Sequence, residues 1–154
     1  MTVARILRNK RDTVFAVEQG ESFQKVVDTF AAHRAGAVVV LNDNHGLEGM
    51  ISEGDVVRAL AGDASSALKR RADDIMTRDV LTCCYNTRES ELMKVMSDTN
   101  LHALPVLAGK VPIGMVSVGD VLRLRLEKIA ALMKEIEKEC QMFYAPQEAI
   151  LFQQ

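Results

Sequence analysis

Residues 49–58 read Gly-Met-Ile-Ser-Glu-Gly-Asp-Val-Val-Arg, and residues 114–123 read Gly-Met-Val-Ser-Val-Gly-Asp-Val-Leu-Arg. The two stretches lie 65 residues apart and are identical at seven of their ten positions. Self-similarity of this kind marks a duplicated structural unit. Each copy runs from a short apolar strand through a Ser-x-Gly-Asp turn into an apolar helix. The sequence therefore predicts two copies of one structural unit.

Hydrophobic periodicity predicts the same order of elements around both copies. In the first half we expect a helix with the apolar face Val3, Ile6 and Leu7, a strand at 13–17, a helix with the face Phe23, Val26, Val27 and Phe30, strands at 37–41 and 47–52, and a helix at 56–60. In the second half the matching elements are a strand at 80–84, a helix with the face Leu92, Met93 and Met96, and a strand at 104–107. Each half is therefore a β-α-β-β-α unit.

A unit of roughly 50 to 60 residues buries little apolar surface by itself. The strand at 37–41 is apolar throughout, which is typical of a strand buried on both faces, and Gly36 before it is expected to end the preceding helix. We therefore expect an α/β (α+β) fold in which two repeats pack through their sheets, followed by a C-terminal amphipathic helix. The predicted boundaries are 1–62 for the first repeat with its N-terminal helix, 63–75 for a polar linker, 76–124 for the second repeat, 125–143 for the C-terminal helix and 144–154 for a tail.

The composition is that of a soluble globular protein. Of the 154 residues, 48% are hydrophobic and 26% are charged, and the net charge is -2. This balance argues against a general electrostatic footprint for nucleic acid. No apolar run approaches the length of a membrane span, and the N-terminus lacks the apolar block of a signal peptide. We expect a cytoplasmic protein that binds neither nucleic acid nor membrane.

The cysteines and histidines do not form a metal-binding pattern. They are Cys83, Cys84, Cys140, His33, His45 and His102. No pair of cysteines has the C-x-x-C spacing of a zinc site, and neighbouring Cys83 and Cys84 would point to opposite faces of a strand. Buried small hydrophobic side chains are the favoured interpretation, and a redox or metal sensor is a weaker alternative.

The C-terminal helix carries a heptad-like pattern. Its apolar residues follow in steps of four and three: Leu122, Leu126, Ile129, Met133, Ile136, Cys140 and Phe143. This 3.5-residue period extends over three heptads, which is the lower limit for a coiled coil. An amphipathic helix that lies on its own domain and a helix that pairs with a second copy of the chain both fit the pattern. We expect a homodimer in some form.

The repeated turn carries the candidate chemistry. Ser52 with Asp55, and Ser117 with Asp120, follow the Ser-x-x-Asp pattern of a capping box at a helix start. Capping alone would explain them in most chains. The glycine before each aspartate allows a ligand to approach the backbone, and a carboxylate suits the two hydroxyls of a ribose. The residues therefore also fit a nucleoside or nucleotide cleft with apolar strand residues against the base.

The combined motifs resemble a tandem CBS-domain (Bateman) module. The resemblance rests on the two Gly-Met-(Ile/Val)-Ser-x-Gly-Asp copies, on Asp-Ile-Met-Thr at 74–77 and on His-Ala-Leu-Pro-Val at 102–106, and it covers residues 1 to about 125. It implies two repeats packed through their sheets, often in a dimer, with an adenosine ligand such as AMP, ATP, NAD or S-adenosylmethionine between them. It implies ribose contacts at Ser52, Asp55, Ser117 and Asp120. The candidates for the base pocket or the phosphate are Val14, Val80, His102 and Gly54.

Two departures from the family pattern concern the phosphate. Gly54 stands where related modules often have an arginine, and His102 with Ala103 stand where they have arginine and histidine. Arginine is a natural phosphate partner, so these changes weaken the predicted phosphate site and leave the ribose positions intact. The substitutes that the sequence offers are His102, Arg34, Lys110 and the basic run at 69–71, and for each of them a solvated surface charge is the favoured interpretation.

The motifs of the common nucleotide-dependent and hydrolytic enzymes are absent from the sequence. It has no P-loop Gly-Lys-Ser/Thr, no Gly-x-Gly-x-x-Gly after a strand and no Gly-x-Ser-x-Gly. Together with this absence, the resemblance to the CBS-domain family implies a non-catalytic regulatory module that binds an adenine nucleotide or dinucleotide and acts on an unidentified protein target. The alternative is a structural or dimerisation module whose ligand site has degenerated.

Overall fold

The computed structural model describes residues 1–8, 10 and 14–144. The chain divides into two compact units, Met1–Val118 and Gly119–Gln154. Among the described residues, the first unit contains five strands, six helices and Val118, the first residue of the last helix, and the second unit contains the rest of that helix and Tyr144. Thr13, the predicted start of the first strand, and all of the predicted tail except Tyr144 lie outside the described residues.

The order of elements confirms the duplicated plan. The helices are α1 (Val3–Arg8), α2 (Phe23–His33), α3 (Glu53–Gly62), α4 (Ala64–Ala67), α5 (Ala72–Ile75), α6 (Glu89–Thr99) and α7 (Val118–Phe143). The strands are β1 (Ala16–Glu18), β2 (Ala37–Leu41), β3 (Leu47–Ser52), β4 (Ala103–Ala108) and β5 (Val111–Ser117). The chain is thus of the mixed α+β class, with a C-terminal helix as predicted.

The first repeat forms a three-stranded sheet. Strand β1 runs parallel to β2, and β2 runs antiparallel to β3, with Ala37 opposite Ser52. Val38 and Val40 pack in one cluster with Val26 of α2, while Val39 points to the other face, because side chains alternate along a strand. All three valines are fully buried. The prediction that this strand is covered on both faces is confirmed.

The second repeat forms a two-stranded sheet, and the predicted strand at 80–84 is wrong. Only Cys83 pairs there, through a parallel bridge to Val106, in which it donates to the Pro105 carbonyl at 3.0 Å and accepts from the Leu107 amide at 2.8 Å. Turns on both sides limit the pairing, since the Val80 amide binds the Arg78 carbonyl and the Thr87 amide binds the Cys84 carbonyl. The apolar composition of the segment did not reveal these turns.

Helix α2 begins as predicted but ends three residues before Gly36. The Ser22 hydroxyl accepts a hydrogen bond from the Lys25 amide and caps the first turn. The helix stops at His33 because Arg34 adopts the left-handed conformation, with φ 49°. Asn100, 66 residues later, ends α6 in the same way, with φ 55°. Asparagine is a common residue for this role and arginine is not, so composition pointed to the glycine.

The predicted polar linker contains two short helices that pack on the first repeat. Ala67 of α4 lies in one buried cluster with Phe23 and Ala59, and Ala72 of α5 lies in another with Val26 and Ile51. Both alanines are fully buried. The segment is therefore more than a connector, although it is the least apolar part of the sequence. The boundaries predicted for the linker and the repeats stay predictions.

Candidate functional site

A cavity of about 620 Å³ lies in the first unit, where the two repeats meet. Each sheet supplies one wall. The first wall carries Ala37, Met50 and Ser52, and the second carries Ala103, Met115 and Ser117. These are matching positions, because Ala37 pairs with Ser52 in one sheet and Ala103 pairs with Ser117 in the other. The cavity therefore has a pseudo-twofold lining of matching alanine, methionine and serine residues.

The residues at the two left-handed helix ends belong to the lining of this cavity. Arg34 and Asn100 both line it, followed on one side by Ala35 and Gly36 and on the other by Leu101 and His102. In each repeat the left-handed residue ends the helix and turns the chain directly into the next strand. The two positions are equivalent in the backbone but differ in charge. The first repeat therefore contributes an arginine to the lining, and the second contributes an asparagine and a histidine.

Two further lining residues, Lys10 and Phe15, were not among the predicted site residues. The Lys10 ammonium donates to the Met115 carbonyl at 3.0 Å. The Phe15 ring stacks on His33, with ring centroids 4.4 Å apart and an interplanar angle of 17°. The only sequence pattern that includes Lys10 is the basic run at 8–11. Phe15 lies in the segment 13–17, which was predicted to be a strand. With Lys10 and Arg34 in the lining, and no acidic residue among the described residues that line it, the cavity favours an anionic ligand.

The first Ser-x-Gly-Asp turn is a complete capping box. The Asp55 carboxylate accepts hydrogen bonds from the Ser52 amide and the Ser52 hydroxyl, both at 2.7 Å, and the Asp55 amide donates to that hydroxyl at 3.3 Å. Arg58, one turn further along α3, donates to the other carboxylate oxygen. The helix consequently begins at Glu53, three residues before the predicted start at Val56. Asp55 already has three donors, so the capping interpretation describes its state in this structure.

The surroundings of Asp55 favour its charged form. Burial by itself raises the pKa of the carboxyl, but the hydrogen bonds from the Ser52 amide and hydroxyl and the charge and hydrogen bond of Arg58 outweigh it. The pKa therefore lies below its ordinary value. At neutral pH Asp55 is a carboxylate that accepts hydrogen bonds only.

The second turn has the same pattern at the start of the second unit. Asp120 lies in the first turn of α7, is 6% exposed, and accepts a hydrogen bond from Arg123 at 2.6 Å. Arg58 and Arg123 occupy matching places, three residues after each aspartate. The pairing of aspartate with arginine is therefore part of the repeat.

The predicted site residues divide into two groups. Ser52, Ser117 and His102 line the cavity. Of the other positions in the first unit, Val14, Val80, Gly54 and Asp55 do not line it. Among the substitutes for the missing arginines, Arg34 lines it, whereas Lys110 and the run at 69–71 do not. The roles of all these residues stay predictions.

The other predicted chemistry has the following basis in the structure. Within residues 1–8, 10 and 14–144, no three histidine, cysteine, aspartate or glutamate side chains come together as a metal site. Cys83, Cys84 and Cys140 are free thiols, the first buried and the other two exposed, which corrects the prediction of three buried cysteines. None of the helices in the described part of the chain combines the length and the hydropathy of a membrane span.

The chain belongs to the CBS-domain family. The family model for the CBS domain matches it twice, at residues 3–62 and 72–127, so the chain carries a pair of CBS repeats. The predicted family and fold are therefore confirmed. The second match includes the Cys83 bridge, α6, β4 and β5 and the start of α7.

Similar proteins carry the same domain. The chain is 34% identical over 101 residues to the mitochondrial CBS domain-containing protein CBSX3 of Arabidopsis thaliana, which is 63% of this chain and 49% of that protein. It thus spans about half the length of this curated relative. Among solved structures, the CBS-domain containing protein ATU1752 of Agrobacterium tumefaciens has a TM-score of 0.75 and 31% identity, and the match covers 80% of this chain and 92% of that one.

Two solved relatives contain adenosine compounds. The CBS domain pair of MJ0100 was solved with 5′-methylthioadenosine and S-adenosylmethionine, and it has a TM-score of 0.73, 23% identity and coverage of 83% of this chain and 98% of that one. The complex of CBSX2 with AMP has a TM-score of 0.69, 21% identity and coverage of 82% and 96%. At these identities the likeness to the present chain is one of fold.

Proposed function

We propose that this chain is a non-catalytic regulatory module that binds an adenine nucleotide in the cavity between its two repeats. The observation that carries the proposal is the lining of the cavity: mostly apolar residues, two serines, and the cationic residues Lys10 and Arg34, with no carboxylate among the described lining residues. Its volume of about 620 Å³ falls in the range of small-molecule sites, about 300–1,000 Å³. AMP, ATP and NAD are the proposed ligands, and the AMP and S-adenosylmethionine bound by fold relatives support this class.

In this proposal the base lies between the two sheets, against Met50 and Met115. Polarisable thioethers pack well against flat aromatic rings. The hydroxyls of Ser52 and Ser117 contact the ribose, and Arg34 and Lys10 contact the phosphate. Asp55 supports the ribose site by holding Ser52 in place. A direct contact between Asp55 and the ribose would use the carboxylate oxygen that accepts from Arg58, since that oxygen has a second acceptor site.

The module acts by a shift between two packings of its repeats, which a ligand can bias only if it binds one of them more tightly. We further propose that it works as a cytoplasmic homodimer that transmits its state to a protein target. These finer points extend the proposal beyond the binding site.

The test is a calorimetric and thermal-shift titration of nucleotide-free protein with AMP, ATP, NAD and S-adenosylmethionine. Binding to the folded state raises the melting temperature as the ligand concentration rises. We expect a concentration-dependent rise with at least one of them and none with inorganic phosphate alone. No shift with any of the four compounds would overturn the proposal.

Arg34→Asn gives a residue-specific test, because it replaces Arg34 by the residue found at the matching position, Asn100. Asparagine tolerates the left-handed backbone at this position, so the helix end is preserved. Loss of a charge-assisted contact predicts about tenfold weaker binding of AMP and unchanged binding of adenosine. Lys110→Asn removes a lysine that does not line the cavity and serves as the control. Equal loss for AMP and adenosine would argue against a phosphate contact.

The competing function is a structural or dimerisation module with a degenerate site. It is favoured by Asp55, whose carboxylate is engaged by Ser52 and Arg58, so that helix capping alone explains the first copy of the turn. A dimer that none of the four adenosine compounds stabilises would identify this function.

A further inference from the structure

The second unit presents an apolar seam to solvent. Along α7, Leu126, Ile129, Met133 and Ile136 are between 53% and 66% exposed, and Leu122 is 49% exposed. The buried side of the helix is a different one, because Val121 and Leu124 are 0% and 5% exposed. Six or more large side chains in a row at heptad spacing form a surface that monomeric proteins seldom leave uncovered. The question is what covers it.

The heptad register follows from the seam. The a positions are Leu126, Met133 and Cys140, and the d positions are Leu122, Ile129, Ile136 and Phe143. The positions that flank the seam are then Arg123, Ala130 and Glu137 at e, and Arg125, Leu132 and Glu139 at g. Flanking positions decide the orientation of paired helices, because their side chains meet across the seam.

The charged residues at the e and g positions are segregated by sign along the helix. Both arginines lie in its first half and both glutamates in its second half. In a parallel pair each g residue meets the e residue of the following heptad, which gives Arg125 with Ala130, Leu132 with Glu137 and Glu139 with Tyr144. None of these is an ion pair, and one sets a leucine against a carboxylate. Parallel pairing therefore gains nothing from the charges.

An antiparallel pair gives the opposite result. When each a residue packs against a d residue of the partner helix, Leu126 meets Ile136 and Ile129 meets Met133. Position g then meets g, and e meets e. Arg125 lies beside Glu139 and Arg123 beside Glu137, twice each by symmetry, while Leu132 meets its own copy at the centre. Every flanking charge finds an opposite charge, and the apolar seam widens where the two Leu132 side chains join it.

We infer that α7 pairs with α7 of a second copy of this chain as an antiparallel two-helix seam centred on residues 130–132. The helix of 26 residues is about 39 Å long, enough for the three heptads that the seam requires. The inference deepens the homodimer part of the proposed function, and it is independent of nucleotide binding. Arg123 also pairs with Asp120 within its own helix.

The distance between equivalent residues of the two helices distinguishes the parallel from the antiparallel orientation. In a parallel pair the two Cys140 residues meet at an a layer. In the antiparallel pair each Cys140 packs beside Leu122 of the partner helix, so the two thiols lie 18 residues apart along the axis, about 27 Å. Ala130, which is exposed, faces its own copy only in the antiparallel pair.

The test is oxidative cross-linking of the full-length chain in the Cys84→Ser background, with copper–phenanthroline as oxidant and the product size read on a non-reducing gel. Three proteins are compared: one with Cys140 retained, and two Cys140→Ser variants that carry Ala130→Cys or Ala131→Cys. We expect a linked dimer with Ala130→Cys only, because Ala131 lies at the outward f position. Cross-linking through Cys140 would show a parallel pair. A monomer by light scattering would show that α7 does not pair with a second copy of the chain. A dimer that none of the three cysteines links would place the interface elsewhere. Each of these results overturns the inference.

A charge exchange tests the same pairing without cysteines. Glu139→Arg turns two attractive contacts per dimer into repulsive ones, and we expect the dissociation constant to rise about tenfold or more. The double variant Arg125→Glu/Glu139→Arg restores opposite charges and is expected to recover most of the loss. Glu135→Arg makes the same charge change at the outward c position and is the control. Equal effects of Glu135→Arg and Glu139→Arg, or no recovery in the double variant, would contradict the antiparallel seam. Because no nucleotide enters either measurement, failure here leaves the nucleotide proposal standing, and the reverse also holds.

Discussion

In the first repeat, β1 pairs with β2 through three residue pairs, whereas in the second repeat the same place is held by the single bridge between Cys83 and Val106. The register is nevertheless the same. Val17 pairs with Val40 in the first repeat, and Cys83 and Val106 lie 66 residues further along. The second repeat thus keeps the central contact of a parallel strand pair and loses the contacts on either side.

The same asymmetry appears in the cavity. The first repeat supplies Phe15 and Arg34, while the second supplies Asn100 and leaves Leu81, the counterpart of Phe15, 45% exposed. A duplication can preserve strand register and helix ends while the side chains at matching places diverge. The comparison teaches that backbone symmetry does not imply two equal sites, and that the first repeat supplies more of the chemistry that an anion needs.

The largest expected effect concerns the two neighbouring thiols of the second repeat, one on the bridge that replaces a strand pair and one beside it. Burial, with a smaller contribution from Cys84, raises the pKa of Cys83 to about 11, whereas the hydrogen bond with Thr87 holds the pKa of Cys84 below its ordinary value. Because the thiolate is the reactive form, we expect Cys83 to react on the order of a hundredfold more slowly than Cys84 near pH 8. The rates are measured with a chromogenic disulfide reagent.

Two single-thiol proteins allow this comparison. One carries Cys84→Ser and Cys140→Ser, and the other carries Cys83→Val and Cys140→Ser. Valine is the residue that the first repeat has at the matching position, Val17, so it suits the buried site. Rates within a few-fold of each other would mean that the Cys83 bridge opens readily, and that the second repeat is even less complete in solution than its register indicates.

The next difference concerns the glycine that begins each repeated stretch. A Cβ at Gly49 would lie 2.9 Å from the Thr77 carbonyl oxygen and 2.5 Å from the Met76 sulfur, and the carbonyl belongs to backbone that cannot rotate away. A Cβ at Gly114 would meet only the methyl groups of Leu7, at 3.0 and 3.2 Å. We expect Gly49→Ala to lower the free energy of unfolding by about 1–3 kcal/mol, and Gly114→Ala to lower it by less.

Denaturant unfolding measures both variants. Gly62→Ala is the control, because a Cβ at Gly62 meets nothing within 4 Å, and alanine in a helix is neutral or stabilising. Equal losses at Gly49 and Gly114 would show that the two repeats are packed alike around the repeated stretch.

The capping box at the first turn predicts a pH-dependent contribution to stability. Asp55→Ala removes the acceptor of the Ser52 hydrogen bonds and is expected to lower the free energy of unfolding by about 1–2 kcal/mol at pH 7. Since the folded pKa of Asp55 lies below the ordinary value of 3.8, its contribution is present above that value and is lost as the pH falls through the folded pKa. The difference between wild type and variant should therefore shrink below about pH 4.

Glu53→Ala is the matched control for this prediction. Glu53 is an exposed carboxylate in the same first turn of α3, so it shares the helix dipole without the capping bonds. We expect Glu53→Ala to lower the free energy of unfolding by less than Asp55→Ala does. An Asp55→Ala effect that stays constant from pH 7 to pH 3 would mean that the carboxylate charge is not what stabilises the turn.

The repeated stretch predicted the duplication and the capping box of the first turn, because identical residues at fixed spacing impose the same local backbone. The family followed only when the motifs at 74–77 and 102–106 were added, and the order of elements followed from hydrophobic periodicity. Periodicity also located the buried faces of α2 and β2. It failed at the segment 80–84, where turns formed by Arg78 and Thr87 interrupt an apolar run. It failed again at the end of α2, where Arg34 takes a conformation that its residue type seldom adopts.

The cavity was only partly predictable. Ser52, Ser117 and His102 stand inside the recognised motifs, and they line it. Lys10 and Phe15 stand outside those motifs and reach the cavity through long-range packing, since Lys10 contacts Met115 across 105 residues of sequence. Such contacts have no local pattern. The sequence is consistent with a capping role and with a ribose-binding role for Asp55. A ligand titration decides between these two roles.

The smallest expected difference lies at the start of the long helix of each repeat. Ser22 caps α2 by accepting a hydrogen bond from Lys25, whereas its counterpart Arg88 makes no side-chain cap for α6. There the Arg88 amide is held by the Glu91 carboxylate at 3.3 Å, so the second half of a capping box is already present. Arg88→Ser would complete the box and is expected to raise the free energy of unfolding by about 0.5–1 kcal/mol. Ser22→Ala, the matched change in the first repeat, should lower it by a similar amount. Both variants are measured by the same denaturant titration. Changes in the free energy of unfolding with opposite signs would show that the two helix starts differ only in the cap. A lower free energy of unfolding for Arg88→Ser would show that the arginine side chain stabilises the second repeat in another way.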